Sequence, residues 1–347
     1  MPCYIHEGCV LMGDFLTVCI HNQVGNVLAS GGGAAMARIA QMLAGIPHSV
    51  PLSTVNRQCS SGLQAFASVA AAITAGQYEI GLACGVESMS MDDMGNVKPI
   101  LNWDAVAASP VARECLIPMG VTSENVADQF GVSRQYQDAF AAESHKRAAR
   151  AQANGWFDNE IVPVPVPSKE GTATTIVDKD DGIRPGATVA SLSKLKPVFK
   201  AGGSTTAGNA SQMTDGAAAV LVMKRSTARK LHLPVLAILK AFSVVGVPPA
   251  IMGVGPAFAI PAALSEAELS VDDVDVFEIN EAFASQAVYC AQQLKVVPGG
   301  ACFNYGVAAV LQFLERATLF AARAHLSFNP ALFPPPPSPS SRSLQRS

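Results

Sequence analysis

The chain has 347 residues, of which 49% are hydrophobic and 15% charged, and its formal net charge is −3. This length and apolar content predict one large or two medium globular domains rather than a disordered chain. The slightly negative charge and an aromatic content of 6% give no basis for nucleic acid as a partner.

The longest uncharged run, residues 241–265, is long enough to span a bilayer. Four prolines, Pro248, Pro249, Pro256 and Pro261, interrupt it, so we predict strand, loop and helix in a folded core and no membrane span. No secretory signal is evident at the N-terminus. The eight cysteines include no C-x-x-C pair, which favours free thiols and no metal site.

A glycine run leads into the first predicted helix, over 34–43. A β-α-β unit follows this helix and begins with a short strand over 50–55. An alanine-rich helix over 63–75 then leads to a strand over 80–84. Because this helix has no polar face, we expect it to be buried all round.

The middle of the chain contains one long helix and a loop-rich stretch. Ser133 is a plausible N-cap for a helix that runs through about Ala153, before Asn154 and Gly155. Residues 155–205 carry many prolines and glycines and predict loops.

Strands are predicted again over 217–223, 235–245 and 274–279. After the last of these, Asn280 is the expected N-cap of a helix over 281–294. This second strand-to-helix unit resembles the first in plan and suggests a duplicated fold. The alternation of apolar strands with helices predicts an α/β class with layered sheets.

Cys59 is the strongest candidate for chemistry. It lies where the strand over 50–55 gives way to a helix, and a helix N-terminus favours thiolate over thiol. The alternative is a structural cysteine, which is the commoner role of this residue type.

Seven segments link Cys59 to a known family. They are Val55–Gln64, Cys84–Ser90, Leu116–Gly120, Thr206–Ser211, Asp215–Ala219, Met252–Pro256 and Asn280–Ala284. In their order and spacing they resemble the thiolase family, most closely its peroxisomal 3-ketoacyl-CoA branch. The resemblance covers roughly residues 24–293.

The resemblance implies a layered α-β-α-β-α architecture with two duplicated halves, of which the C-terminal half is incomplete. Residues 1–23 are a divergent N-terminus, and residues 24–224 are the first half, with a loop insertion at about 91–205. The truncated second half covers 225–294. Residues 295–347 form a divergent tail, rich in proline and serine and partly disordered.

The resemblance also implies the reaction and the residues that carry it. Family members cleave 3-ketoacyl-CoA with coenzyme A as co-substrate and no other cofactor, and Cys59 matches their nucleophile. Asn280 matches a residue that holds a water in an oxyanion site, a role compatible with an N-cap. Arg184 and Ser211 match contacts to CoA, and Met119 lines the pantetheine channel. The alternatives are a solvated loop charge for Arg184 and core packing for Met119.

The match ends near Leu294, where family members continue with a Gly-His-Pro segment and later a second reactive cysteine. None of the six histidines lies in a Gly-His-Pro context. Since each acid–base group commonly contributes about 10²–10⁴-fold to rate, we predict weak or absent thiolysis.

The alternative hypothesis is an inactive thiolase-fold chain that acts by dimerisation, as a homodimer or paired with a full-length thiolase. A ketoacyl synthase is disfavoured by the thiolase-like Asn280–Phe283. The resemblance places the chain in the peroxisome. No targeting signal is visible, so the cytoplasm is the alternative location.

Overall fold

The computed structural model describes residues 3–6, 21–91, 101–168, 174–296, 310–312 and 324–326. Helices and strands both occur along the described chain, as the α/β prediction requires. The bounds of these elements follow in chain order.

Eleven β-strands lie within the described residues. They are β1 (Cys3–His6), β2 (His21–Gly25), β3 (Leu52–Val55), β4 (Ile80–Glu87), β5 (Val164–Pro167), β6 (Thr174–Val177), β7 (Asp215–Lys224), β8 (Ala237–Ile238), β9 (Val276–Glu278), β10 (Val310–Gln312) and β11 (Ala324–Leu326).

Ten α-helices lie within the same residues. They are α1 (Ala34–Leu43), α2 (Ser61–Thr74), α3 (Trp103–Ala108), α4 (Pro110–Glu114), α5 (Met119–Phe130), α6 (Arg134–Ala153), α7 (Val189–Leu192), α8 (Arg225–Lys230), α9 (Gly255–Glu266) and α10 (Ala284–Gln293).

The main sheet has seven strands in the order β3-β2-β4-β7-β1-β8, with β11 paired to β7 as well. β2 runs parallel to both β3 and β4, and β7 runs antiparallel to β4. Parallel neighbours need crossover connections, which α1 and α2 supply. Among the described strands, this order leaves β3 at an edge of the sheet.

Both faces of the main sheet are covered by apolar residues. On one face, Val69 and Ile73 of α2 pack against Val222 of β7. On the other face, Ile80 and Leu82 of β4 pack with several residues outside the sheet, including Ile46 and Ala228 of α8. Coverage of both faces explains why β4 and β7 are nearly continuous apolar runs.

A second apolar cluster lies in the C-terminal part of the chain. It joins Ile260 and Leu264 of α9, Phe277 of β9 and Leu294, which follows α10. A third cluster connects this region to α5, since Val126 packs with Val254, Val288 and Tyr289. Helix α5 is thereby tied to α10.

Local sequence signals predicted two helices closely. The helix over 34–43 is α1 with those bounds. The helix after Ser133 is α6, which ends at Ala153, and the Ser133 hydroxyl accepts a hydrogen bond from the Tyr136 backbone N–H at 3.4 Å. The predicted β-α-β unit is likewise present as β3, α2 and β4.

The expectation that the alanine-rich helix is buried all round is wrong. In α2 the side towards the sheet is buried, with Ala65, Val69 and Ile73 nearly inaccessible. Ala71 on another side is exposed, and Ser68 is half-buried. The described chain places a sheet against one face of α2, so small residues on the other face remain accessible.

Two predictions in the C-terminal part are also wrong. The strand expected over 235–245 is reduced to the two residues of β8, which pair with β1. Asn280 is not an N-cap, because α10 begins at Ala284 and Phe283 occupies the cap position. The expected strand over 274–279 is present as the shorter β9.

The uncharged run over 241–265 folds as a 3₁₀ turn at Pro249–Val254 and then α9. Among the described residues, no helix combines the length and the apolar character that a membrane crossing requires. Within the tail, β10 pairs antiparallel with β9. Most of the tail predicted over 295–347, including its proline-rich end, lies outside the described ranges.

Candidate active site

Cys59 lies in a tight turn between β3 and α2. Gln58 precedes it with a φ of 50°, a left-handed conformation that is uncommon for a residue with a side chain. The Asn56 side chain accepts a hydrogen bond from the Gln58 N–H at 2.9 Å, and the Ser61 hydroxyl donates to the Gln58 carbonyl at 2.6 Å. These bonds fix the turn and present Cys59 at the start of the helix.

Three glycines let the start of α2 approach the sheet closely. A Cβ atom at Gly25 of β2 would lie 2.3 Å from the Ser61 carbonyl carbon. A Cβ atom at Gly85 of β4 would lie 3.3 Å from the Gly62 Cα. Side chains at these positions would push the helix end away, so the glycines set the position of Cys59 relative to the sheet.

The structure corrects the expectation that the helix N-terminus lowers the Cys59 pKa. Although Cys59 is exposed, the protein atoms around its thiol disfavour the charged form and raise the pKa. The backbone N–H of Cys59 acts in the opposite direction, and the negative charge of Glu87 raises the pKa further. The net effect favours the thiol.

Glu87 is a residue to which sequence reasoning gave no role. It ends β4, and its carboxylate accepts hydrogen bonds from the backbone N–H groups of Val27 at 2.9 Å and Leu28 at 3.2 Å. The Asn56 amide, in the turn of Cys59, donates to the Val27 carbonyl at 3.2 Å. A carboxylate at the end of a largely buried strand was the signal that could have drawn attention to it.

A second group of predicted site residues meets where two segments are hydrogen-bonded. The Ser211 N–H donates to the Ala282 carbonyl at 2.9 Å, and the Ala284 N–H donates to the Asn209 carbonyl at 2.9 Å. These bonds hold Ser211 beside the segment that begins at Asn280. They also explain why Asn280 is not a helix cap, since residues 282–284 pair with 209–211 and the helix starts only at Ala284.

Met119 is linked to the same region through aromatic side chains. It is the first residue of α5 and is half-buried. The Phe199 ring packs over the next residue, Gly120, where a Cβ atom would lie 2.4 Å from it. Phe199 meets Phe283 edge to face, with ring centroids 6.5 Å apart.

Arg184 is exposed and lies beside α6. Its backbone N–H donates to His145 Nδ1 at 3.3 Å, and its guanidinium donates to the Asp181 and Ile183 carbonyls. The guanidinium charge and burial lower the pKa of His145, with burial the larger cause. The Arg184 side chain therefore folds back on its own loop.

The structure thus brings Ser211, Asn280 and Met119 into one region. Within the described ranges, no hydrogen bond joins Cys59 to any of the other four predicted site residues, and none joins it to His21, His48, His145 or His232. Glu87 is the charged group that acts on its thiol. No cluster of three potential metal ligands occurs in the described part of the chain.

Cys290, to which no role was assigned, is buried in α10. Its thiol donates to the Gly253 carbonyl at 3.6 Å. Burial raises the pKa of Cys290 to about 12, so this thiol is neutral near pH 7.

Comparisons with known proteins cover most of the chain. The model of the thiolase N-terminal domain matches residues 18–226, and that of the thiolase C-terminal domain matches residues 233–310. The Mus musculus protein "3-ketoacyl-CoA thiolase B, peroxisomal" is 59% identical over 291 residues, which cover 82% of this chain and 68% of that protein. The human peroxisomal 3-ketoacyl-CoA thiolase is 60% identical over 278 residues, which cover 79% of this chain and 65% of that protein.

Solved structures of thiolases are also similar to this chain. The dimeric peroxisomal thiolase of Saccharomyces cerevisiae superposes with a TM-score of 0.81 at 42% identity, covering 88% of this chain and 84% of that one. A second structure of the yeast peroxisomal enzyme, described as five-layered α-β-α-β-α with two core domains of identical topology, gives a TM-score of 0.67 at 41% identity and covers 85% and 71%.

The fold and the matched domain models define a layered α/β protein of thiolase type, as the sequence motifs predicted. The chain belongs to the thiolase family, and its near relatives are peroxisomal 3-ketoacyl-CoA thiolases. It spans about two thirds of the length of those relatives.

Proposed function

We propose that this chain is an acyl-CoA C-acyltransferase of thiolase type, acting on 3-ketoacyl-CoA in fatty-acid β-oxidation with Cys59 as its nucleophile. The observation that carries the proposal is the glycine-built turn that presents Cys59 at the start of α2, in a chain that belongs to this family. The Cys59 thiolate attacks the 3-keto carbon, and the bond between C2 and C3 breaks. Acetyl-CoA leaves after its α-carbon takes a proton, and the thiolate of a second CoA removes the acyl group from Cys59.

The region of Ser211, Asn280 and Met119 supports a site for the rest of the substrate. The bonds between residues 209–211 and 282–284 hold Ser211 and Asn280 on adjacent segments. Asn280 orients a water for the thioester oxygen, Ser211 contacts CoA, and Met119 lines the pantetheine path. Arg184 binds the nucleotide end of CoA once its side chain turns away from its own loop. CoA is a co-substrate, and no other cofactor is required.

The reaction in this chain is slow. The raised pKa of Cys59 leaves little thiolate near neutral pH, and the tail after Leu294 lacks the family's Gly-His-Pro histidine and second cysteine. Without those two groups, and with no histidine hydrogen-bonded to Cys59 among the described residues, both the acylation of Cys59 and the protonation of the departing acetyl-CoA carbanion are slow.

An assay of acetoacetyl-CoA thiolysis tests this proposal, with mass spectrometry of the Cys59 peptide to detect the acyl adduct. We expect turnover at least about 10⁴-fold below that of a full-length relative, because two acid–base groups are missing. We also expect an acyl adduct that Cys59→Ala abolishes. Turnover that survives Cys59→Ala would disprove the nucleophile assignment, and turnover at the rate of the relative would disprove the impairment.

The chain also acts as a homodimer, in the peroxisome. The yeast neighbour is described as dimeric, and the matched relatives are peroxisomal. In this chain β3 is an edge strand, and α1 beside it exposes Met36, Ile39 and Leu43. An unpaired strand edge flanked by apolar side chains is suited to pairing with a second copy.

The second candidate function is that of an inactive subunit that pairs with a full-length thiolase. The same exposed edge favours it, because β3 and α1 lie within the residues that match the thiolase N-terminal domain. Co-expression and affinity purification with a full-length peroxisomal thiolase test it, with Leu43→Glu as the matched variant. Failure to co-purify under mild conditions counts against pairing, as does equal recovery of the variant.

A further inference from the structure

Glu124 of α5 is a buried carboxylate that holds the backbone of the 203–211 loop. Its side chain is 2% exposed. One carboxylate oxygen accepts hydrogen bonds from the N–H groups of Ser204 at 2.9 Å and Thr205 at 2.7 Å. The other oxygen accepts from the Ser204 N–H and from the Ser204 hydroxyl, both at 2.9 Å. Two successive backbone N–H groups therefore point at one side chain.

The loop approaches Glu124 closely because Gly203 has no side chain. A Cβ atom at Gly203 would lie 2.4 Å from a carboxylate oxygen of Glu124. The neighbouring residue of the helix, Ser123, adds a buried chain of hydroxyl groups, with its oxygen 2.8 Å from that of Thr205 and 2.7 Å from that of Ser285. Helix α5 thus holds both the loop and the start of α10.

The other end of the loop is fixed by a separate contact. The Asn209 side chain donates to the Asp138 carboxylate and to the Ser204 carbonyl, both at 3.0 Å. The Asn209 carbonyl then accepts from the Ala284 N–H. Ser204 is therefore held by Glu124 on one side and by Asn209 on the other, and the loop leads directly to Ser211.

We propose that Glu124 is a positioning residue, whose buried carboxylate fixes the 203–211 loop so that Ser211 and the segment after Asn280 form the CoA-binding region. The proposal rests on the proposed function in one respect, since it takes Ser211 as a contact to CoA. Glu124 acts through the loop and does not itself touch the substrate.

A carboxylate is the group that this position requires. The Glu124 carboxylate accepts four hydrogen bonds, and backbone N–H groups donate three of them. Glutamine has nearly the same shape, but its NH₂ group would replace an oxygen that accepts two of the four bonds. Whichever oxygen it replaces, the NH₂ group would face the Ser204 N–H, so two donors would meet in a buried place. Glu124→Gln therefore changes the hydrogen bonds of the loop while leaving the packing of α5 nearly unchanged.

The chain offers a matched control on the same helix. Asp128 follows Glu124 by one turn and pairs with Lys200, just ahead of the loop. Both partners are exposed, and such surface pairs contribute little. Asp128→Asn removes a carboxylate from the same helix without disturbing the buried contacts.

Two measurements on the full chain test the proposal. Hydrogen exchange should accelerate at least about tenfold over 203–211 in Glu124→Gln, while α6 and α9 keep their protection. Titration calorimetry with CoA should show binding weakened about tenfold, and Ser211→Ala should then add little in the Glu124→Gln background. Asp128→Asn should leave both measurements unchanged.

Several outcomes would overturn the proposal: unchanged loop exchange in Glu124→Gln, additive effects of the two substitutions on CoA binding, or an equal response in Asp128→Asn. If Glu124→Gln unfolds, Glu124→Asp replaces it, because aspartate keeps the charge and loses the reach to Ser204 and Thr205. If the unsubstituted chain binds no CoA, the proposed function fails, and the exchange measurement alone decides whether Glu124 positions the loop.

Discussion

At the residue scale, burial among the surrounding protein atoms is the largest effect on the Cys59 thiol and raises its pKa, and two groups add smaller, opposing effects. Its own backbone N–H stabilises the thiolate, as expected at the start of a helix, whereas the Glu87 carboxylate destabilises it. Because Glu87 is held by the N–H groups of Val27 and Leu28, its charge cannot swing away from the turn. The surroundings of Cys59 thus favour the neutral form until a cation or a base approaches.

Replacing Glu87 tests this directly. Glu87→Gln keeps the size of the side chain and one acceptor oxygen, and it removes the negative charge. The pKa of Cys59 should fall, since removing a nearby negative charge favours the thiolate, so the pH profile of Cys59 alkylation should shift to lower pH. Alkylation by iodoacetamide is followed at the Cys59 peptide, which separates it from the exposed Cys115.

Glu79→Gln is the matched control, since Glu79 precedes β4 and lies at the opposite end of that strand from Glu87. Its substitution should leave the alkylation profile of Cys59 in place. A shift of the profile to higher pH in Glu87→Gln, or an equal shift in both variants, would show that Glu87 does not destabilise the thiolate.

At the scale of the elements, the contact of α2 with β2 and β4 fixes the position of the site. It depends on the close approach at Gly25, Gly62 and Gly85. Because backbone meets backbone there, a methyl group has no flexible neighbour to displace. The helix end and the turn of Cys59 must move together if the contact is opened.

Gly25→Ala should therefore destabilise the fold by about 1–3 kcal/mol, the usual cost of overpacking. It should also change the rate of Cys59 alkylation, because the turn moves with the helix. Urea denaturation measures the first effect. Gly186→Ala is the control, since a Cβ atom there meets nothing within 4 Å, and it should change stability by less than about 0.5 kcal/mol. Equal stability of the two variants would contradict the argument.

Elements with local signals could be predicted from the sequence, and elements that depend on distant partners could not. Ser133 caps α6 through a bond three residues away, and the sequence alone identifies that pattern. Asn280 looked equally suitable as a cap, yet its segment runs alongside residues 209–211, about 70 positions earlier. The motifs single out Ser211 and Asn280 but not the bonds between their segments, and the effect of Glu87 on Cys59 likewise depends on how β4 lies beside the turn.

At the scale of the whole molecule, the part of the chain that matches the thiolase N-terminal domain presents a surface suited to a second copy. Along α1, Met36, Ile39 and Leu43 are 57%, 60% and 84% exposed and follow one face of the helix. The helix packs beside β3, the edge of the main sheet. Exposed apolar residues next to an unpaired strand edge favour association of two chains over the monomer.

A charge on this surface should therefore dissociate the homodimer. Leu43→Glu places a carboxylate at the most exposed of the three positions, and burying it without a cation against a second copy is costly. Light scattering after gel filtration should give the mass of two chains for the unsubstituted protein and of one chain for the variant. Val111→Glu is the control, because Val111 is equally apolar and 64% exposed on α4, away from β3. A monomeric unsubstituted chain, or a Leu43→Glu variant that stays dimeric, would show that this surface does not form the dimer.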